Sequence, residues 1–363
     1  MPDADWRGER DAKIDVLHER LTAAVESLVT GDDWGRAMVF AARFRSRSFN
    51  NTLLIWAQHA ERFEAGTVAE PWPTYVAGFR QWQSLGREVV KGQRGYMILA
   101  PVTKRWAVEP SEPGVLGPSR PLSPGEKLGP DERVYRQIVN VKPAYVWDVC
   151  QTDGGPVPQR PMPVLLEGEA PKGLWDGLAG LVAASGFELS RVDGAAQIGG
   201  ANGVKNYTDR SVKVRCDMDD AAMVKTLAHE LAHVRMHDPA DAESWHHRGI
   251  GEVEAESVAM MVGAAHGMST ESYTIPYVSG WATTVKDKTP VEVVQATGAR
   301  VRATALAILD SLDTVQVGGG DPPGLDRAGL AGLRQGKSSV FQTVQVPPLA
   351  GQQVAADAMA VGA

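Results

Sequence analysis

The sequence contains little cysteine and no long apolar run. Only Cys150 and Cys216 occur among 363 residues, and neither lies in a Cys-x-x-Cys pair. A disulfide framework and a thiolate metal cluster are therefore excluded. No stretch of about 18 apolar residues occurs, which disfavours a transmembrane helix. The first thirty residues lack the apolar centre of a signal peptide, so we expect a cytoplasmic protein without a membrane partner.

The net charge of −7 is unevenly distributed along the chain. Between Arg36 and Arg105 there are eleven Lys or Arg residues and four Glu. The rest of the chain therefore carries the acidic excess. An evenly acidic chain would disfavour nucleic acid, whereas this asymmetry indicates one basic part and a second part with a different function.

The length of the chain and the order of its helix and strand patterns predict an α+β fold in two domains. Residues 1–155 are typical of helices followed by a β-hairpin, interrupted by a flexible Pro/Gly-rich excursion at 107–131. The Pro-rich stretch at 156–172 indicates a linker. Residues 173–313 combine helices with short strands. Residues 314–363 are rich in Gly, Ala, Gln and Pro, and we expect a disordered tail.

A metal-binding pattern lies in the second predicted domain. The segment His229-Glu230-Leu-Ala-His233 follows Asp217 and Asp219, either of which can cap a helix. Histidines four apart lie on one side of a helix, about 6 Å apart along its axis, so both can reach one ion. Glu230 can then serve as general base without being a ligand. The alternative is a helix with two histidines that bind no metal.

A third ligand is expected from the helix that contains Glu252, Glu254 and Glu256. We favour Glu252 as ligand and Glu256, on the same face, as the residue that orients a ligating histidine. Glu254 points about 200° away from Glu252, and we expect it to be solvated at the helix N-terminus. His237 lies about 12 Å along the helix from the first histidine, too far to share the ion, and should interact with the helix dipole.

Catalysis of acyl transfer also requires a hydrogen-bond donor for the developing oxyanion. The downstream candidates are His246, His247, Arg248, Tyr273 and Tyr277. For each of them, the alternative is an ordinary surface histidine or arginine, or a half-buried tyrosine.

Residues 174–313 resemble the zincin-type metallopeptidases of the ImmA/IrrE kind. The resemblance depends on His229, Glu230, His233 and the Glu252-Val-Glu-Ala-Glu256 turn, which follows the second histidine by 19 residues. It implies the gluzincin layout, with Zn²⁺ on the two histidines and on Glu252. The choice of Glu252 among the three glutamates follows that layout.

The first predicted domain resembles the N-terminal single-stranded DNA binding domain of ArdC-type antirestriction proteins. The order of the two domains is also that of the ArdC type. The resemblance is carried by four segments: Ser48–Ile55, Val76–Arg87, Lys91–Pro101 and Tyr145–Gly154.

The residues themselves give weaker, independent support for DNA binding. Seven of the ten tryptophans precede residue 150, in or near the basic region, where aromatic rings among cations could stack on bases. The alternatives are tryptophans that belong to the core and a basic hairpin that is merely solvated. The candidate DNA-binding residues are Arg80, Arg87, Lys91, Arg94, Asn50 and Asn51.

These observations lead to one main hypothesis and two alternatives. The main hypothesis is an antirestriction protein that binds single-stranded DNA, protects incoming mobile DNA and carries a zinc metallopeptidase-like site. The first alternative is an ImmA/IrrE-like regulatory metalloprotease that cleaves a repressor or another partner. The second is a protein that coats single-stranded DNA and whose zinc site is structural or inactive. The peptide substrate is not indicated by the sequence.

Overall fold

The computed structural model describes residues 3–109, 119–123, 125–157, 168–239, 248–271, 273, 275–285, 287–323 and 325. The fold mixes helices and sheets, so the predicted α+β class is confirmed. The described residues divide into two compact units, one within residues 3–100 and 142–325 and the other within 101–141. None of the helices in the described ranges is long and apolar enough to cross a membrane.

Three helices open the first unit: α1 (Asp3–Glu26), α2 (Gly31–Arg43) and α3 (Phe49–Glu64). The apolar stripe of α1 follows the helical repeat, and its residues Leu17 and Leu21 are buried. α2 and α3 each bury one face of mostly apolar residues. The helices therefore form because their apolar positions recur on one side.

Polar side chains cap the starts of α2 and α3. The N-cap of α2 is Thr30, and Asp33 is the third helical residue of a capping box. The N-cap of α3 is Ser48, whose hydroxyl accepts from the Asn51 N–H at 3.3 Å. Ser, Asp and Asn are all good caps, so local preference alone does not distinguish them.

Short strands follow in the same unit. They are β1 (Val76–Ala77), β2 (Arg87–Val89), the start of β3 (Tyr96–Val108), the end of β5 (Arg133–Asp148) and β6 (Thr152–Gly154), with helix α4 (Phe79–Ser84) between β1 and β2. β1 pairs antiparallel with β5, and β2 pairs antiparallel with β6. A small core that includes Phe40, Ile55, Tyr96 and Val146 packs against these strands.

The second unit contains the rest of β3 and β5 together with β4 (Ser119–Pro121). β4 pairs antiparallel with β3, with Trp106 opposite Pro121. The Arg120 guanidinium donates to both oxygens of Glu132, at 2.7 and 2.8 Å. The excursion predicted at 107–131 therefore contains a short strand. Backbone pairing with β3 and the ion pair between Arg120 and Glu132 hold this strand in place. Residues 110–118 and 124 lie outside the described residues.

The remaining elements of the first unit are helices and a three-stranded sheet. They are α5 (Leu174–Ala184), β7 (Glu188–Val192), β8 (Gly203–Asn206), β9 (Ser211–Arg215), α6 (Asp220–Met236), α7 (Arg248–Ala265), α8 (Val278–Ala282) and α9 (Pro290–Leu309). The strand order is β7-β9-β8, with β7 parallel and β8 antiparallel to β9. β8 therefore lies at an edge of the sheet.

Helices from both predicted domains share one core. The Trp34 indole on α2 is fully buried and donates to the Ser257 hydroxyl on α7 at 2.8 Å. Phe49 at the start of α3 lies so close to Gly298 on α9 that a Cβ there would meet its ring at 2.3 Å. The boundaries predicted for the two domains stay a prediction, but α1–α3 and α6–α9 pack as one body.

The beginning of the predicted tail packs on this body. Val317 is buried and its N–H donates to the carbonyl of Ala265 at 2.6 Å. Asp321 is also buried and accepts from the Ser46 hydroxyl at 3.1 Å. The expectation of disorder from residue 314 is therefore wrong for these residues, because contacts distant in sequence hold a segment whose local pattern is weak. Residues 324 and 326–363 lie outside the described residues.

Candidate metal centre and nucleic-acid surface

Helix α6 brings the two histidines of the motif together. Its N-cap is Asp219, whose carboxylate accepts from the Ala222 N–H at 2.7 Å. His229 and His233 lie one turn apart, and their Nε2 atoms are 3.1 Å from each other. Two ring nitrogens at this distance point at a common position, as two ligands of one ion do.

The neighbouring helix α7 places Glu252 against this pair. Its Oε2 lies 3.5 Å from the Nε2 of His229, and its Oε1 lies 3.5 Å from the Nε2 of His233. Metal–ligand bonds of about 2.0–2.1 Å in a tetrahedral site put neighbouring ligand atoms about 3.3 Å apart. Donor type and spacing therefore fit a metal ion, and among the described residues these three side chains form a group that could hold one.

The ligand candidate His229 is held from behind by a carboxylate and a lysine. Its Nδ1 lies 3.1 Å from the Oε2 of Glu256, one turn after Glu252 on α7. The Lys225 ammonium lies 3.1 Å from the other Glu256 oxygen. Glu256 thus occupies the position that the sequence predicted for a residue orienting a histidine.

His233 is held from behind by groups to which the sequence assigned other roles. Its Nδ1 lies 2.9 Å from the Nδ1 of His237, whose Nε2 lies 2.9 Å from the Oε2 of Glu254. The Arg300 guanidinium on α9 donates to Glu254 at 2.7 Å. The prediction of a solvated Glu254 is wrong, since Glu254 is only 4% exposed. His237 contacts two side chains, not only the helix end, because α7 and α9 pack against α6.

Glu230 lies beside the three candidate ligands in a cleft. The cleft encloses about 420 Å³, and its lining also includes β8 residues such as Gly203 and Lys205. The Glu230 side chain is buried, and it stands close to Gly203, where a Cβ would lie 3.0 Å from its Cγ. The carboxylate therefore shares the cleft with the ligands while the edge strand lies against it.

Burial and ion pairing shift the pKa values of this cluster in different directions. Burial lowers the pKa of His229, but hydrogen bonds to Glu252 and Glu256, together with the negative charges of Glu230 and Glu256, raise it to about 9. Burial dominates at His233 and lowers its pKa to about 4. Hydrogen bonds from both histidines lower the pKa of Glu252. Burial raises the pKa of Glu230.

An aromatic and basic patch lies on the β-hairpin side of the same unit. Phe79 and Tyr145 are exposed, and their rings lie 6.0 and 6.5 Å from that of Trp147. The turn that contains Lys91 and Arg94 contacts this group, since the Trp147 indole donates to the Gln93 carbonyl at 3.2 Å. Arg80, Lys91 and Arg94 are exposed. The aromatic-basic patch, formed by Phe79, Arg80, Lys91, Arg94, Tyr145 and Trp147, combines cations with accessible rings.

Comparison with known proteins identifies a domain that includes Phe79, Arg80, Lys91 and Arg94 of this patch. Residues 14–133 match the family model of the N-terminal domain of the anti-restriction factor ArdC. The chain carries an ArdC-type N-terminal domain. The resemblance to ArdC-type proteins that the sequence predicted is thereby confirmed. The matched residues make up about a third of the chain.

Two solved structures are similar to this chain. The metal-free crystal structure of the antirestriction ArdC protein from plasmid R388 has a TM-score of 0.45 and 17% identity, covering 81% of this chain and 96% of that one. The Mn(II)-bound structure of that protein has a TM-score of 0.42 and 19% identity, covering 73% and 88%. No curated protein sequence matches the chain.

Within the ArdC-type domain, the predicted DNA-binding residues fall into two groups. Arg80, Lys91 and Arg94 lie in the aromatic-basic patch, and the side chain of Asn50 is half-buried. Arg87 instead donates to the hydroxyl and the carbonyl of Thr152, at 2.9 Å each, and thereby joins β2 to β6. Asn51 is buried and bonds both backbone groups of Leu99, at 2.8 and 2.9 Å. The structure therefore gives Arg87 and Asn51 structural contacts.

Of the predicted oxyanion donors, the two that the structure describes, Tyr273 and Tyr277, are not brought to the cleft. The buried Tyr273 hydroxyl donates to the Ala259 carbonyl at 3.2 Å, and Tyr277 is exposed at the start of α8. His246, His247 and the side chain of Arg248 lie outside the described residues. Sequence reasoning missed Tyr207, whose hydroxyl donates to the His233 carbonyl. Its place in the turn after β8 offers no local signal for this contact.

Proposed function

We propose that His229, His233 and Glu252 bind Zn²⁺ and that the cleft hydrolyses peptide bonds. This proposal depends on one observation. The side chains of His229, His233 and Glu252 converge beside a fourth group, the buried carboxylate of Glu230. Two imidazoles and one carboxylate are a ligand set that catalytic zinc uses, with one position left for substrate or water. When bound, zinc supplies Lewis-acid polarisation at this position.

The protein's own groups support the remaining parts of this activity. Glu230 stands where it can accept a proton and return it to a leaving amine, and burial raises its pKa. β8 is an edge strand whose residues line the cleft. An exposed strand edge can pair with an extended peptide through backbone hydrogen bonds. The geometry thus favours an unfolded or extended polypeptide as substrate.

Glu230→Gln tests the peptidase proposal. We expect hydrolysis of a fluorescently labelled unfolded casein to fall by about 100-fold or more, because the amide cannot take up the proton. Zinc content, measured by atomic absorption, should stay near one ion per chain. Glu188→Gln, at an exposed position on β7, is the matched control and should keep full activity. Hydrolysis by the Glu230→Gln variant at the wild-type rate would show that the proposed mechanism is wrong.

We further infer that the ArdC-type domain binds single-stranded DNA and that the whole chain protects incoming mobile DNA. The supporting observation is the aromatic-basic patch, because rings stack on unpaired bases while neighbouring cations contact phosphates. Three of its residues, Arg80, Lys91 and Arg94, are exposed cations. Stacking is available only to unpaired bases, which favours a single strand over a duplex.

Charge reversal in the patch tests the DNA proposal. Replacing Arg80, Lys91 and Arg94 together with Glu should greatly weaken binding of a labelled single-stranded oligonucleotide, measured by fluorescence anisotropy. The dependence of log Kd on log salt should also become shallower, by about 0.7 for each lost phosphate contact. Tyr145→Ala should weaken binding by about 1–3 kcal/mol with little change in salt dependence. The control is Lys13→Glu, at an exposed position on α1, which should bind the oligonucleotide as tightly as the wild type does. Wild-type affinity in the triple variant would show that the patch is not the DNA-binding surface.

A further inference from the structure

A continuous hydrogen-bonded chain runs from His233 to Arg300 behind the proposed metal site. It crosses three helices, from His233 and His237 on or directly after α6, to Glu254 on α7, to Arg300 on α9. The successive distances are 2.9 Å, 2.9 Å and 2.7 Å. Glu254 is the acidic group of this hydrogen-bonded series and is 4% exposed. A buried carboxylate is costly unless it is paired, so this placement calls for an explanation beyond helix stability.

The chemistry of the groups gives the direction of each hydrogen bond when both imidazoles are neutral. A guanidinium only donates and a carboxylate only accepts, so Arg300 and the Nε2–H of His237 both donate to Glu254. With its single proton on Nε2, a neutral His237 presents Nδ1 as an acceptor, and the Nδ1–H of His233 donates to it. The lone pair of His233 then lies on Nε2, the atom that faces His229 and Glu252. This hydrogen-bonded series therefore selects the tautomer of His233 that a metal ligand requires.

The two proposed histidine ligands are thus supported in different ways. His229 is backed directly by Glu256, whereas His233 is separated from its carboxylate by a second imidazole. The backbone reinforces the second arrangement, because the His237 N–H donates to the His233 carbonyl at 2.9 Å. The rings of His233 and His237 lie 5.0 Å apart at an angle of 60°. His233 is therefore constrained in both ring orientation and tautomer.

We propose that His237, Glu254 and Arg300 are positioning residues that hold the Nε2 lone pair of His233 towards the metal. This inference rests on the proposed zinc site and adds a second support, separate from Glu256. Residues that orient a ligating histidine typically contribute about 10- to 100-fold to metal affinity. A purely structural role would instead change stability and leave affinity unaltered.

Zinc binding to the full chain, measured by competition with a chromophoric chelator, tests this role. His237→Leu removes both hydrogen bonds and should weaken zinc affinity by about 10- to 100-fold. His237→Gln should largely restore it, because a side-chain amide offers one acceptor and one donor. The matched control is His266→Gln, at a fully buried histidine directly after α7 that bonds Val262 and Thr314. This change should lower the melting temperature without changing zinc affinity.

The half-exposed Arg300 provides a variant that should fold even if His237→Leu does not. Arg300 has 52% of its side chain exposed, and Arg300→Gln should weaken zinc affinity less than His237→Leu but in the same direction. Wild-type affinity in both His237→Leu and Arg300→Gln would overturn the positioning role and leave the zinc site intact. A wild-type chain that takes up no zinc would overturn the proposed function, and this inference with it.

Discussion

Gly203 illustrates how a single residue sets the shape of the cleft. It begins β8, and a Cβ there would lie 2.6 Å from the Cγ2 of Thr226 and 3.0 Å from the Cγ of Glu230. No real side chain tolerates the first distance without movement of a β-branched residue on α6. Glycine therefore allows the edge strand to approach the helix that carries the histidines.

Gly203→Ala should destabilise the protein and impair the site together. Overpacking at a closed position costs about 1–3 kcal/mol, and we expect this loss in the free energy of unfolding measured with urea. Hydrolysis should also fall, because the methyl group displaces Glu230. The matched control is Gly180→Ala in the interior of α5, where a Cβ would meet nothing within 4 Å and should stabilise the helix by about 0.5–1 kcal/mol. A Gly203→Ala variant as stable and as active as the wild type would contradict this account.

At the scale of elements, two side-chain amides of α3 act as a partner for β3. Asn51 bonds the N–H and the carbonyl of Leu99, and Gln58 bonds those of Met97, all at 2.8–2.9 Å. Asn51 and Gln58 are seven residues apart, which is two helical turns, so both lie on one face of α3. Met97 and Leu99 are two apart, so their backbone groups face the same side of β3. The helix thus satisfies the backbone groups of Met97 and Leu99 on that side of β3.

Loss of either amide should be costly. Asn51→Ala and Gln58→Ala each leave backbone groups unpaired, and we expect each to lower the free energy of unfolding by about 1–3 kcal/mol. Asn50→Ala is the matched control, since no bond from Asn50 to β3 occurs among the described residues, and it should stay within about 0.5 kcal/mol of the wild type. If Asn51 instead contacts DNA, Asn51→Ala will weaken single-strand binding without loss of stability.

At the scale of the whole molecule, the helices before residue 65 and those after residue 219 depend on each other. Trp34 and Ser257 are 223 residues apart in sequence yet share a buried hydrogen bond. Leu17, Leu53, Leu227 and Val258 belong to the same core cluster. Separation into a DNA-binding fragment and a metal-binding fragment would expose this core to water. The two proposed activities are therefore carried by one cooperatively packed body.

This shared core predicts that zinc stabilises α2 as well as α6 and α7. Zinc at about 100 times its Kd should raise the free energy of unfolding by about 2.7 kcal/mol. Hydrogen exchange followed by mass spectrometry should then show slower exchange of the most protected amides in all three helices. Mg²⁺, which prefers oxygen ligands, is the control and should have no effect. Slower exchange confined to α6 and α7 would contradict the shared core and favour independent domains.

The sequence by itself determined the local features of this protein. Helix periodicity and the spacing of four place His229 and His233 on one face whatever the rest of the fold does. Glycine and proline patterns locate turns in the same local way. The ArdC-type resemblance was also visible from short segments, and the family match confirms it.

Tertiary structure decided the features that depend on packing between distant segments. The three glutamates of α7 differ little in local sequence, but α6 and α9 give them different surroundings: Glu252 is 67% exposed beside the histidines, and Glu254 is 4% exposed against His237 and Arg300. The sequence likewise suggests that Arg87 and Asn51 can contact DNA, but in the fold Arg87 hydrogen-bonds to β6 and Asn51 to β3. Helix geometry is fixed by neighbours three and four residues away, whereas burial and partner choice depend on contacts that only the folded chain creates.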